Sequence, residues 1–160
     1  MRLNYIRTRD FVFGAEGNHF HNVSGDMGGP TSAYGITLAT AKRFGLDVDH
    51  DGDVDIDDLK AMTWDDVDSL FKKHFWDAIG GDTLPGGIDL IAADIAWNMG
   101  PGKFFQYVRE GYASTTETLT ARRKSTYANI VAKKPDQIKF LKGWYNRAEK
   151  AYAESQHCEV

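Results

Sequence analysis

The chain has 160 residues, 42% of them hydrophobic and 12% aromatic, which suffices for one packed core and leaves room for two very small domains at most. A lone cysteine, Cys158, excludes an internal disulfide, and no stretch approaches the roughly 20 apolar residues of a membrane span. The net charge of −4 is uneven: residues 1–102 carry eight Lys/Arg against seventeen Asp/Glu, and residues 103–160 carry eleven against six. Seven of the acids fall between Asp47 and Asp58, so without that segment the chain is mildly basic, as suits approach to an anionic surface. The basic residues at the start, Arg2 and Arg7, have no apolar core behind them, so the N-terminus does not read as a signal peptide.

In chain order, residues 5–15 predict a first helix with Tyr5, Ile6 and Phe13 as a partial apolar stripe. From Gly17 to Thr37 the chain is rich in Gly, Asn, Ser and Asp, which predicts a short β-hairpin or ordered loop rather than a helix. Thr37 then opens a helix through Phe44 that Gly45 closes. After an acidic loop, Thr63 and Asp66 have the form of an N-cap with an acidic N3 residue, and Val67, Leu70, Phe71, His74 and Phe75 follow on one helical face. Leu84-Pro85-Gly86-Gly87 is a turn. Ile88 to Met99 is apolar almost all round, the pattern of a buried central helix, and Gly100-Pro101-Gly102 stops it. Further helices are expected over 104–108, 117–132 and from Pro135 to about Ala153. There is no internal repeat, and the class is mostly α.

Glu16 is the sole Glu before position 110, and it follows Phe11, Phe13 and Ala15 at the end of an apolar helix. Glycosidic hydrolysis needs a carboxyl kept protonated by such surroundings and a second group that deals with the anomeric carbon. Asp26 and Thr31, ten and fifteen residues on, complete an acid, base and water-orienting trio. The same residues also read as a solvated helix end, an Asx-turn and a turn hydroxyl, and spacing alone does not choose. His19 and His21 flank the loop without an evident third ligand for a metal.

The run Ala15-Glu16-Gly17, then Asp26-Met27-Gly28-Gly29-Pro30-Thr31, then Tyr34-Gly35-Ile36-Thr37, resembles the opening of the phage endolysin muramidases of glycoside hydrolase family 108. The likeness continues through His74-Phe75-Trp76, Leu84-Pro85-x-Gly-Ile88, Asp94-x-Ala96-x-Asn98-x-Gly100 and Phe140-Leu141-x-Gly143-Trp144-x-Asn146-Arg147, nearly the whole chain in order. The family's Glu-Gly-Gly-Tyr is Glu16-Gly17-Asn18-His19 here, so the acid is kept while its neighbours differ. The resemblance implies a lysozyme-like fold and an N-acetylmuramidase with Glu16 as catalytic acid, joined by Asp26 and Thr31. Tyr34 and Asn98 are the expected substrate contacts, whereas Trp97 reads as packing.

Residues 47–58 match the twelve-position EF-hand calcium loop, with Asp at positions 1, 3, 5, 9 and 12, Gly52 at the turn and Val54 as apolar anchor. Asp at position 12 makes it look like the loops of dockerins. Seven carboxylates in twelve residues repel one another, and a divalent cation relieves that. The expected ligands of a structural Ca2+ are Asp47, Asp49, Asp51, Asp53 (through its carbonyl) and Asp58; a solvated acidic loop is the other reading.

Together these readings predict a lysozyme-like single domain, mostly α, with a small β-hairpin near the cleft and an EF-hand-like loop. Residues 1–110 are expected to form the catalytic region, and residues 111–160 a C-terminal helical peptidoglycan-binding region. The expected activity is hydrolysis of the β-1,4 bond between N-acetylmuramic acid and N-acetylglucosamine. The alternatives are a lytic transglycosylase giving 1,6-anhydro ends and a non-catalytic, calcium-dependent wall-binding module. The expected partners are peptidoglycan and the membrane surface, without nucleic acid. The chain is expected to be a monomer made in the host cytoplasm that acts in the periplasm and cell wall, with a separate holin for export.

Overall fold

The computed structural model describes residues 2–14 and 35–159. The chain divides into two compact units, Met1–Phe11 with Lys72–Val160, and Val12–Phe71. Helix α1 (Arg2–Gly14) contributes to both.

The first unit is built around α5 (Ile88–Met99), in which every residue from Ile88 to Ala96 is buried. A helix without a polar face must be covered on all sides. That cover comes from α6 (Pro101–Arg109), α7 (Thr116–Lys133) and α8 (Ile138–Ser155). Pro101 starts α6 at a position where its missing N–H has no helical partner to lose. Thr115 caps α7 through a reciprocal pair with Thr118. The buried positions of α8, Ala148, Ala151 and Ser155, are small and spaced by three and four, which lets it lie close against its neighbours. Ahead of α5, a π-helical turn (Lys72–Trp76) and two 3-10 turns (Asp77–Ile79 and Gly81–Thr83) bring Trp76 to full burial. Tyr5 meets the Trp76 ring edge-on at 5.3 Å between centroids. Gly81 lies directly against the Trp76 indole, where a Cβ would overlap its Cδ2 and Cε2 atoms.

The second unit holds the last residues of α1, then α2 (Leu38–Phe44), the acidic loop, α3 (Ile56–Ala61) and α4 (Trp64–Phe71). Thr37 Oγ1 accepts from Thr40 N at 3.1 Å at the start of α2, and Gly45 ends it in the left-handed conformation (φ 64°). Thr63 and Asp66 close the start of α4, with Thr63 N donating to Asp66 Oδ2 at 2.8 Å. Phe13 packs edge-on against Trp64 and Phe71, each at 5.4 Å, in a core completed by Val12, Ile36, Leu59, Val67 and Leu70.

The mostly α class is as expected, and no β-strand occurs among the described residues. The hairpin expected between Gly17 and Thr37 falls on positions 15–34, which lie outside the described residues. The expected border at residue 110 falls inside the first unit.

Candidate functional site

Glu16, Asp26, Thr31 and Tyr34 lie outside the described residues, as do His19 and His21. Of the residues expected at the glycan, Asn98 is described, near the C-terminal end of α5. It is exposed, although Ile88 to Ala96 before it are all buried. Its Nδ2 donates to the Asp94 carbonyl at 2.7 Å and to Asp94 Oδ1 at 3.2 Å, across one helical turn.

Asp94 is the hub of this region, fully buried and shared by two arginines. Arg123, on α7 and also fully buried, donates from Nη1 to Asp94 Oδ2 at 2.7 Å and from Nε to the Tyr127 hydroxyl at 2.9 Å. Arg147, on α8, donates to Asp94 Oδ1 from Nε at 3.0 Å and from Nη2 at 2.7 Å, two nitrogens converging on one oxygen, and more distantly from Nε to Oδ2 at 3.4 Å. Burial works against the Arg123 charge, yet the Asp94 carboxylate and the Tyr127 hydroxyl outweigh it and hold its pKa above the ordinary value. Tyr127 in turn stacks on Trp144 at 5.2 Å, and Trp144 on the exposed Phe140 at 5.9 Å. The sequence pointed to Asp94 and Arg147 as separate motif residues. It missed Arg123, which sits in the charged run Arg122-Arg123-Lys124; the signal was a Tyr four residues on, a partner one helical turn away.

The acidic loop folds inward on itself. Asp58, buried at the first turn of α3, accepts from Val48 N at 2.5 Å and Asp49 N at 3.4 Å on one oxygen, and from Asp55 N at 2.7 Å on the other. Burial pushes its pKa up, but these backbone N–H groups outweigh it and hold it below the usual value. Asp47 Oδ2 accepts from Gly52 N at 3.1 Å, while Asp47 Oδ1 is buried without a hydrogen-bond partner. Gly52 sits at φ 100°, which side chains resist, and His50 at 61°. Carboxylate oxygens of Asp47, Asp49 and Asp58 lie within 4.8 Å of one another, as do those of Asp53, Asp55 and Asp58. Of the five expected ligands, Asp51 joins neither trio; its Oδ1 accepts from Asp53 N at 3.0 Å. Asp53, expected to act through its carbonyl, brings its carboxylate to the second trio together with Asp55. Asp49 and Asp53 are both pushed up in pKa, Asp49 first by desolvation and Asp53 first by the charge of Asp51.

A third cluster lies at the start of α1. Asn4 is buried, donating to Asp89 Oδ2 at 2.9 Å and to the Glu159 carbonyl at 2.8 Å, and accepting from Glu159 N at 2.9 Å. Asp89 also accepts from Gly87 N and Leu90 N, at 2.8 and 2.7 Å. Desolvation raises its pKa against these hydrogen bonds. Burial likewise pushes the Cys158 thiol up to about 11, so it stays a protonated, unreactive group.

With the helical fold and these clusters described, comparison supplies the family. The profile described as Glycosyl hydrolase 108 matches residues 9–100, more than half of the chain. The chain belongs to the glycosyl hydrolase 108 family. The match takes in Glu16, Asp26, Thr31, Tyr34, the acidic loop, Asp94 and Asn98, whereas Arg123, Trp144 and Arg147 lie beyond it. Among solved structures, Brucella abortus SagA superposes with a TM-score of 0.79 at 20% identity, over 98% of this chain and 95% of that one, which shows a shared fold. No curated protein sequence matches the chain.

Proposed function

We propose that this glycoside hydrolase is a muramidase that cuts the β-1,4 bond between N-acetylmuramic acid and N-acetylglucosamine in bacterial peptidoglycan. The observation that carries the reading is the family match over residues 9–100, which contains the Glu16 motif. In it Glu16 protonates the leaving oxygen, Asp26 acts on the attacking water and Thr31 orients that water, with Tyr34 and Asn98 on the sugar. The biological role is that of a monomeric endolysin of phage origin, made in the host cytoplasm and released to the wall through a separate holin. Residues 111–160 hold the wall, and the exposed Lys133, Lys134, Lys139, Lys142 and Lys150 suit them to anionic wall and membrane surfaces, whereas Arg147, expected to join them, is engaged by Asp94.

A Ca2+ ion bound in the loop 47–58 is part of the same reading. What supports it is the convergence of Asp47, Asp49 and Asp58 and the buried, unpartnered Asp47 Oδ1, an oxygen that a hard cation would satisfy. Asp53 and Asp55 offer further oxygens. The ion would join the start of α3 to the loop and take no part in the bond cleavage.

The test is Glu16→Gln, which keeps size and polarity and removes the proton donor. Clearing of purified sacculi should fall by about two orders of magnitude or more, while the far-UV circular dichroism stays that of the parent. Retained clearing by a folded Glu16→Gln would overturn the reading.

A further inference from the structure

We propose that the outer end of the α7–α8 pair docks on an anionic lipid surface, with Ile138 and Phe140 entering the interface and the lysines around them meeting the headgroups. The inference narrows the surface contact proposed above to one occupant and stands whichever bond the enzyme cuts. From Ala128 to Asn146 no residue is buried, although the segment runs through the end of α7, a 3-10 turn (Pro135–Gln137) and the start of α8. Ile138 is 65% exposed and Phe140 45% exposed. Both lie in the first turn of α8, directly after the turn that closes the pair, so they stand at its end rather than along one stripe. Large apolar side chains kept in water at the end of a helix pair mark a surface that meets another.

The charge around them names the partner. Between Ala128 and Asn146 stand Lys133, Lys134, Lys139 and Lys142 against a single acid, Asp136. All four lysines are exposed, and none has an acidic partner among the described residues. Lys60, Lys72 and Lys124, by contrast, are paired with Asp57, Asp77 and Glu149. Exposed apolar groups ringed by unpaired lysines are what an anionic bilayer interface takes, since the chains accept the one and the headgroups the other.

A glycan strand is the other surface within reach, and the rings here do not suit it. Tyr127 and Phe140 both stack on Trp144, at 5.2 and 5.9 Å, and Lys139 Nζ lies 5.1 Å from the Phe140 centroid. The aromatic groups are thus engaged with one another and with Lys139. The most exposed apolar group at this end is Ile138, aliphatic and without a flat face, which suits acyl chains better than a sugar ring.

The test is co-sedimentation of the full chain with vesicles of equal parts phosphatidylcholine and phosphatidylglycerol, against phosphatidylcholine alone. At low salt the wild type should pellet with the anionic vesicles and stay in solution with the neutral ones. Ile138→Ser with Phe140→Ser should weaken the anionic partition by about tenfold or more, and by the same factor as salt is raised, because apolar entry is not screened. Lys139→Gln with Lys142→Gln should weaken it by about fivefold for each lysine at low salt, a loss that fades with added salt. All four side chains are exposed, so both variants should keep the far-UV circular dichroism of the parent. Ile138→Ser alone, at the more exposed position, should show the apolar loss in smaller measure. Equal binding to neutral and anionic vesicles, or serine variants that bind as the wild type does, would overturn the inference. So would serine variants that lose retention on lipid-free sacculi as much as on vesicles, since the occupant would then be the glycan.

Discussion

Arg123 Nη1 donates to Asp94 Oδ2 at 2.7 Å, and both side chains are fully buried. A buried pair of this kind is costly to break from one side, since the remaining charge is left in the protein interior. Asp94→Leu strands Arg123 and should lower stability by about 3–5 kcal/mol in urea unfolding. Adding Arg123→Met should return a large part of that loss. A double variant no better than the single one would show that the pair is not the source of the effect.

Gly81 makes a second sharp prediction. A Cβ there overlaps the Trp76 indole, which is fully buried and tied to Asp82 through Nε1 at 3.2 Å. With no room to move the ring, Gly81→Ala should cost about 1–3 kcal/mol, seen as a melting temperature lower by several degrees. An unchanged melting temperature would place the Trp76 ring elsewhere.

How much of this was legible in the residues varies with the physics involved. Ile88–Met99 and Leu38–Phe44 were readable to the residue, because an all-round apolar pattern and a Thr37/Gly45 cap pair are local signals. Helix α1 was read with Ile6 inward, yet Ile6 is exposed, and Asn4 and Thr8 lie inside. Apolar periodicity cannot see an Asn whose burial is offset by Asp89 and the Glu159 backbone, a partner 155 positions away. The face drawn through Phe71, His74 and Phe75 assumed a regular helix, but a π-helical turn over Lys72–Trp76 buries Phe75 and Trp76 side by side. Arg123 looked like surface charge for the same reason that Asn4 looked like surface polarity. Of the site, the sequence named Asn98 and Asp94 and could not show that Asp94 is shared by two arginines from α7 and α8, contacts made across three helices.

The Asp89 cluster carries a pH dependence. Desolvation raises its folded-state pKa above the ordinary 3.8, so the folded chain binds this proton more tightly than the unfolded one. Its stabilising contribution is present below the unfolded value and is lost as pH rises through the folded one. Asp89→Asn should therefore hold its stability better than the wild type as pH climbs from about 4 toward neutrality. Urea unfolding at stepped pH measures this; parallel curves for the two proteins would contradict it.

For the acidic loop, Ca2+ should raise stability by about 2.7 kcal/mol at 100 times its dissociation constant. The melting temperature should fall with EGTA and recover with calcium. Asp47→Ala with Asp49→Ala should remove the response, because both residues belong to the trio that includes buried Asp58. A melting temperature indifferent to both treatments would leave the loop as acidic surface alone. A chelated enzyme that is folded yet wholly inactive would move the ion into the chemistry.

Which bond is cut is read most directly from the product. Mass spectrometry of fragments released from purified peptidoglycan, before and after borohydride reduction, identifies the new end. Reducible N-acetylmuramic acid ends should appear with the wild type and not with Glu16→Gln. Ends of 1,6-anhydro-N-acetylmuramic acid, which resist reduction, or new reducing N-acetylglucosamine ends would contradict it.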